Sequence, residues 1–354
     1  MNTHMTIYDI SKKAGVSIAT VSRVLNGSDA VKEKTRRKVM AVIEECGYKP
    51  NAFARGLGLN SMKTIGILCA DSSDLYLAKA VYYIEENLRK DGYNSILCCT
   101  GFLQEDRESS INLLLSQHVD SIILIGSQYI GETSSQNQYI IDAAQKTPIM
   151  LLNGTLSDDN IYSIICDDKN AVKDATKKLL DSGVKKILYL HNSDTFSEKK
   201  KLQGFLEACK ESNVKSYDEV KKSSSDNAIF YNVEKYTGSH EDIDNVRDDL
   251  LSFEKKSKIK YDAIVCSQDF LAVGAMKYAR ASKISVPDDM QIIGYNDSIL
   301  TLCTEPSLSS IDNKLEDMCT KLIDVLISVL AGEENEHTHL FNATLVQKGT
   351  TKIN

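Results

Sequence analysis

Thr6-Ile7-Tyr8-Asp9-Ile10-Ser11-Lys12-Lys13-Ala14-Gly15-Val16-Ser17-Ile18-Ala19-Thr20-Val21-Ser22-Arg23-Val24-Leu25-Asn26-Gly27 decides how the rest of the chain is read. Thr6 suits the N-cap of a short amphipathic helix to about Lys13, with Ile7, Ile10 and Ala14 on one face. Gly15 supplies the positive φ of a tight break. Ser17 caps a second helix to about Asn26, whose apolar face is Val21, Val24 and Leu25, and Gly27 holds the preferred post-helix position. A third helix is expected to about Cys46, with Val39, Val42 and Ile43 inward, Lys34, Arg36, Arg37 and Lys38 outward, and Gly47 as its stop. Two short helices about a glycine turn, braced by a third, are the helix-turn-helix plan. A three-helix interaction domain has the same periodicity. In the DNA-binding reading the second helix enters the major groove and presents Ile18, Ala19, Thr20, Ser22, Arg23 and Asn26. Arg23 suits a bidentate contact to guanine, worth roughly 1–3 kcal/mol of discrimination. Ser17, Thr20, Ser22 and Asn26 suit phosphate contacts that set the register.

Charge distribution supports the DNA reading. The 354 residues carry a net charge of −7, yet residues 1–60 are +5 and the remainder is −12. A basic head on an acidic body is the electrostatic footprint of a DNA-binding module fused to something that avoids DNA. Nine cysteines, an odd number with no CxxC pair, fit buried free thiols in a reducing cytoplasm. The N-terminus lacks the basic-then-apolar pattern of a signal peptide, and no apolar run approaches the roughly 18 residues of a membrane span. A soluble, cytoplasmic protein without cofactor or metal is expected.

From Thr64 onward, short apolar runs alternate with helical stretches. Strands are expected at 65–69, 95–99, 121–125, 149–152, 164–166, 187–191, 263–267 and 292–295. Helices are expected at 78–90, 105–117, 136–145, 171–182, 199–212, 242–253 and 271–282. Unbroken apolar strands between helices indicate parallel sheets buried on both faces, and two such series indicate two α/β lobes. Ligands then bind outside the carboxyl ends of the strands, between the lobes. Asp74 and Tyr76 follow the first strand, Asn153 ends another, and Asp269 follows the strand at 263–267. Tyr76, Phe196 and Phe270 are candidates either to stack on a ring-shaped ligand or to pack in the core.

Several motifs together resemble the lactose-repressor (LacI/GalR) family of transcriptional regulators. In the head these are Thr6 to Ile10, Ala14-Gly15-Val16-Ser17, Thr20 to Asn26, Gly47-Tyr48 and Pro50-Asn51-x-x-Ala54-Arg55-x-Leu57. In the body they include Lys201-Leu202-Gln203-Gly204-Phe205, Asp269-x-x-Ala272-x-Gly274-Ala275 and Ile292-Ile293-Gly294-Tyr295-Asn296-Asp297. The resemblance implies an α/β protein with an N-terminal all-α helix-turn-helix head and a two-lobed, periplasmic-binding-protein-like body of doubly wound parallel sheets. It implies a head at 1–49, a hinge at 50–62 and an effector and dimerisation domain at 63–354. The lobes would divide at about 63–162 with 295–320 and 163–293 with 321–354, and the chain would cross near 153–166, Gly294 and Met318.

By the same resemblance, Ile18 and Ala19 tune operator choice, Arg23 reads a base, and Thr6, Tyr8 and Asn51 join the DNA-contacting set. Ala54, Arg55 and Leu57 belong to a hinge helix whose leucine wedges into the minor groove. Asp269 matches a carboxylate that accepts ligand hydroxyls. Lys201 holds a position usually occupied by arginine, and Asn153 stands where the family often has aspartate. The implied partners are a pseudo-palindromic double-stranded operator, a sugar-like effector and a second copy of the chain, with no membrane. The implied function is a regulator, in repressor form, and not an enzyme. No P-loop, GxSxG or HExxH motif argues for catalysis. A sugar-transport protein would need an export signal, and an architectural DNA protein would not carry the acidic body. Three departures stand out. Lys32 replaces the usual cap of the third helix, and Gly56 and Gly58 interrupt the hinge. Lys200 to Gly204 resembles the carbon-catabolite control subgroup, but Asp324 stands where that subgroup's partner engages an arginine.

Overall fold

The computed structural model describes residues 5–48, 61–220, 229–238 and 242–353. Three helices come first: α1 (Ile7–Ala14), α2 (Ile18–Leu25) and α3 (Glu33–Glu45). Their ends follow from local chemistry. Thr6 and Asp9 form a reciprocal capping box at the start of α1, and Gly15 closes that helix at φ 61°. The Ser17 hydroxyl accepts from the Thr20 N–H to start α2. No side chain caps α3, where Lys32 takes the N-cap position. Ile10, Ala14, Val21, Val24, Val31 and Val39 form the small core where the three helices meet. Arg36 departs from expectation: its guanidinium turns back to donate to the Ser28 carbonyl at 2.7 Å, bracing the α2–α3 loop.

The body contains two sheets. The first has the order β2-β1-β3-β4-β5-β12 and is parallel throughout: β1 (Thr64–Cys69), β2 (Asn94–Cys99), β3 (Ser121–Ile125), β4 (Ile149–Leu152), β5 (Ile161–Cys166) and β12 (Thr338–Phe341). The second has the order β7-β8-β6-β9-β10-β11-β13, and only the β11–β13 pair is antiparallel. Its strands are β6 (Lys186–His191), β7 (Lys215–Ser216), β8 (Phe230–Lys235), β9 (Ala263–Cys266), β10 (Gln291–Tyr295), β11 (Ser309–Asp312) and β13 (Thr344–Val346). The two sheets share a doubly wound order: β1 lies between β2 and β3, and β6 lies between β8 and β9, with the two-residue β7 added outside β8.

Strand alternation builds two cores per sheet. Ile65, Ile67 and Cys69 of β1 face α4 (Leu75–Lys90) and α12 (Leu315–Leu330). Leu68 faces α5 (Gln104–Ser116) and α6 (Ser134–Ala144) on the opposite side. In the second sheet, Ile187 and Tyr189 pack with α7 (Asp168–Asp181) and α8 (Phe196–Glu211). Leu188 and Leu190 pack with α10 (Ile243–Ser257) and α11 (Asp269–Ala281), and the four-residue α9 (Tyr217–Val220) lies between β7 and β8 in sequence.

The fold class agrees with the sequence expectation, but the lobe boundaries need correction. The chain leaves the first sheet after Cys166, returns after Asp312, and crosses again between Phe341 and Thr344. The expected boundaries at 294 and 320 fall too early. β11 still pairs with β10, Ile293 opposite Ser309. All of α12 packs on the first lobe through Met318, Leu322, Ile323, Val325 and Leu326. The apolar face of α12 shows that it needs a partner sheet, and only the tertiary structure shows which one.

Candidate DNA-reading helix and inter-lobe cleft

On α2, Val21 and Val24 are buried, which fixes the opposite face outward. Ile18 (39% exposed), Ala19 and Arg23 stand on that face, with Thr20, Ser22 and Asn26 half-buried beside them. The Arg23 guanidinium has no hydrogen-bond or ion-pair partner among the described residues. Tyr8 on α1 is 68% exposed. Three of the expected contact residues have local work. The Thr6 hydroxyl donates to the Asp9 carboxylate at 2.7 Å, and the Ser17 and Thr20 hydroxyls lie 2.9 Å apart. Asn51, Ala54, Arg55 and Leu57, with Gly56 and Gly58, lie outside the described residues.

The carboxyl ends of both sheets meet around a cavity of about 230 Å³. Asp71 and Asp74 reach it from the β1–α4 connection, Tyr76 from the first turn of α4, Ser127 and Gln128 from beyond β3, and Asn153 from the end of β4. From the other lobe come Asn192, Thr195 and Glu198 after β6, Gln268 after β9, Tyr295 and Asn296 from β10, and Asn313 after β11. Asn153 (φ 60°) and Asn296 (φ 99°) turn the chain sharply here in the left-handed region that asparagine tolerates. Bonds across the cleft join the lobes: the Ser127 hydroxyl donates to Thr195 Oγ1 at 2.9 Å, and Lys199 pairs with Glu132.

The floor of the cavity is a buried charged cluster. Lys201 donates to Glu198 Oε1 at 2.8 Å and to the Ser267 carbonyl at 3.0 Å, and its ammonium lies 4.0 Å from the Tyr295 ring centroid. Burial lowers the Lys201 pKa, but the Glu198 and Asp168 carboxylates more than offset that, so the group stays above its ordinary value and charged. Asp168 accepts from Ser197 Oγ at 2.6 Å and from the Tyr295 hydroxyl. Burial pushes its pKa up, against the pull of Lys201 and these hydrogen bonds. Asn153 Nδ2 lies 2.5 Å from the Tyr76 hydroxyl, and Asp74 caps α4 by accepting from the Leu77 N–H at 2.9 Å.

The structure thus gathers Asp74, Tyr76, Asn153 and Lys201 at one cleft. It does not place Asp269 there. That carboxylate is 2% exposed, absent from the cavity wall, and occupied on both oxygens, by Ser310 Oγ at 2.6 Å and the Ser298 N–H at 2.7 Å. Its neighbour Gln268 reaches the cavity instead. Phe270 is buried in the second lobe's core, and Phe196 lies beneath Lys200, so neither lines the cleft. Phe102, 64% exposed on the rim, lines it with Tyr76 and Tyr295. Glu198 escaped the sequence reading because Glu198-Lys199-Lys200-Lys201 looks like an ordinary solvated helix face. Tyr295 and Asn296 were visible as a motif at a strand end, without a role.

Comparisons with known proteins cover both parts. Residues 6–51 match the model of bacterial regulatory proteins of the lacI family, and residues 176–351 match a periplasmic binding protein-like domain. An HTH-type transcriptional regulator of Lachnoclostridium phytofermentans is 45% identical over 349 residues, covering 99% of this chain and 100% of that one. Catabolite control protein A of Staphylococcus epidermidis is 31% identical over 98% of this chain and 99% of its own length. Among solved structures, the lac repressor dimer bound to operator and the anti-inducer ONPF superposes with a TM-score of 0.81 at 22% identity, covering 98% of each chain.

Proposed function

The chain belongs to the LacI family of bacterial transcriptional regulators, and from that premise we propose a repressor that reads a pseudo-palindromic operator as a homodimer and answers to a sugar-like effector held between its lobes. The observation that carries this is the pairing of an outward α2 face, bearing Ile18, Ala19 and an unpartnered Arg23, with a polar cavity at the facing strand ends. One head spans only a few base pairs, so two-fold pairing is what gives a site of useful length. The solved lac repressor dimer on its operator supports that assembly. Asparagine, glutamine and hydroxyl side chains around the cavity suit a ligand rich in hydroxyl groups.

In this reading Ile18, Ala19 and Arg23 face base edges. Tyr8, Ser22 and Asn26 face the backbone, and the N–H groups at the start of α2 add to those backbone contacts where Ser17 and Thr20 are spent on the cap. Selection of preferred sites from random DNA tests it. Wild-type protein should return an inverted repeat. Arg23→Ala should lose at least ~1 kcal/mol of specific binding and relax one position in each half-site. An unchanged motif, or an asymmetric site, overturns the assignment.

A further inference from the structure

The cleft floor sets two carboxyl groups against one ammonium. Asp168 and Glu198 are each 4% exposed and Lys201 is 5% exposed, and of the two carboxyl groups only Glu198 bonds the ammonium. Asp168 has donors on both oxygens, from Ser197 and Tyr295. Glu198 does not. Its Oε1 takes the Lys201 ammonium, while Oε2 is buried without a partner among the described residues, on a residue that lines the cavity. Asn153 Oδ1 and Asn313 Oδ1 are also unpartnered there, but an amide can rotate to present either end. An ionised carboxylate has no donor to present and accepts only.

The surroundings favour a cation over an anion. Among the described residues Lys201 is the only basic one on the cavity wall, against Asp71, Asp74 and Glu198. Helix N-termini often greet phosphate groups. Here carboxylates already stand at three of them: Asp74 caps α4, Asp167 caps α7 with Asp168 beside it in the first turn, and Glu198 lies in the first turn of α8. A phosphate or carboxylate ligand would enter a field already negative, whereas an ammonium would complete the Glu198 hydrogen bonds and balance the floor.

We propose that the cleft takes a monosaccharide-sized polyol bearing a protonated amine, an amino sugar in class, with its ammonium on Glu198 Oε2, and that it rejects phosphorylated sugars. This rests on the reading of the cleft as the effector site. Glu198 is then the residue that sets ligand specificity, while the amide and hydroxyl side chains around it serve the ligand's hydroxyls.

The test uses the full chain and nine probes: glucosamine, galactosamine and mannosamine, their neutral parents, and the 6-phosphates of those parents. Thermal shift and calorimetric titration at neutral pH are the readouts. At least one amino sugar should bind about tenfold tighter than its parent, with no shift from the phosphates, and Glu198→Gln should reduce amine and parent to parity. The wild-type ranking decides the matter even if that variant folds poorly. A parent or phosphate that binds as well as the amine, a panel in which no amino sugar binds, or an unchanged preference in Glu198→Gln overturns the proposal. A neutral or phosphorylated sugar whose binding is lost in Lys201→Met would remove the amine yet leave the cleft as the effector site. Operator release by a probe that binds Lys201→Met undiminished would instead remove the cleft itself.

Discussion

Asp269 shows how far one residue can move a functional reading. The sequence places it at a strand end in a ligand-facing motif, but Gln268 is the residue on the cavity wall. Asp269 begins α11 and ties the Ser298 N–H and Ser310 Oγ to it. Gly294 makes room for it, since a Cβ there would lie 2.3 Å from Asp269 Oδ1. Burial pushes the Asp269 pKa to about 6, well above the ordinary 3.8, despite the Ser310 and Ser298 bonds. The folded state therefore holds more protons than the unfolded one between these values, and stability falls as pH rises from about 4 to about 6, then levels. Asp269→Asn keeps one oxygen for the Ser298 N–H and can donate to Ser310. Relative to the wild type it should gain about 2–3 kcal/mol across that window, read from urea midpoints at pH 4, 5, 6 and 7. A difference that stays flat with pH would refute the buried titration. Effector affinity should not change in Asp269→Asn, because the side chain is off the cleft.

Elements were legible in proportion to how local their signals are. Thr6, Gly15 and Ser17 mark the ends of α1 and α2 by caps and a positive φ, and the apolar runs of β1, β3, β4 and β6 announce buried strands. β8 (Phe-Tyr-Asn-Val-Glu-Lys) and β11 (Ser-Ser-Ile-Asp) were missed. Their polar residues look like loop, and their strand character comes from the neighbours that pair with them. The cleft was half legible: strand-end residues could be named, but burial of Glu198 and its pairing with Lys201 depend on how α8 packs against α7. Gly204 in α8 governs that packing, since a Cβ there would lie 2.0 Å from the Lys169 carbonyl oxygen of α7. Helix propensity alone would favour Gly204→Ala by about 1 kcal/mol. Overpacking against backbone costs about 1–3 kcal/mol and should win, lowering the denaturation midpoint. A rise in the midpoint would show that the helices part freely. In the head, Lys32 leaves α3 without a side-chain cap at an extended N-cap position. Lys32→Ser should stabilise α3 by about 0.5–1 kcal/mol, seen as slower amide exchange over residues 33–45. Unchanged exchange there would mean that the α3 terminus does not limit opening of the head.

At the scale of the whole molecule, two lobes of the same strand order face each other across the cavity, and three chain crossings join them. The Ser127–Thr195 hydrogen bond contributes about 1 kcal/mol. The Lys199–Glu132 pair is solvent-exposed on both sides, which limits it to a few tenths of a kcal/mol up to about 1. Bonds of this size leave closure within reach of a ligand that touches both lobes, because such a ligand need only favour the closed state by a comparable amount to shift the population. Neither Lys199 nor Glu132 lines the cavity, so the pair can be altered without touching the ligand's contacts. Lys199→Glu sets two like charges across the cleft and should open it. Amide exchange over residues 126–131 and 192–196 should rise up to about fivefold at low salt, as expected for a surface pair, and ~0.5 M salt should erase most of the difference. Adding Glu132→Lys restores an opposite-charge pair with the signs exchanged and should return exchange to the wild-type level. If the single variant leaves exchange in both segments unchanged, or the charge-swapped double variant stays as open as the single one, the pair has no part in holding the lobes together.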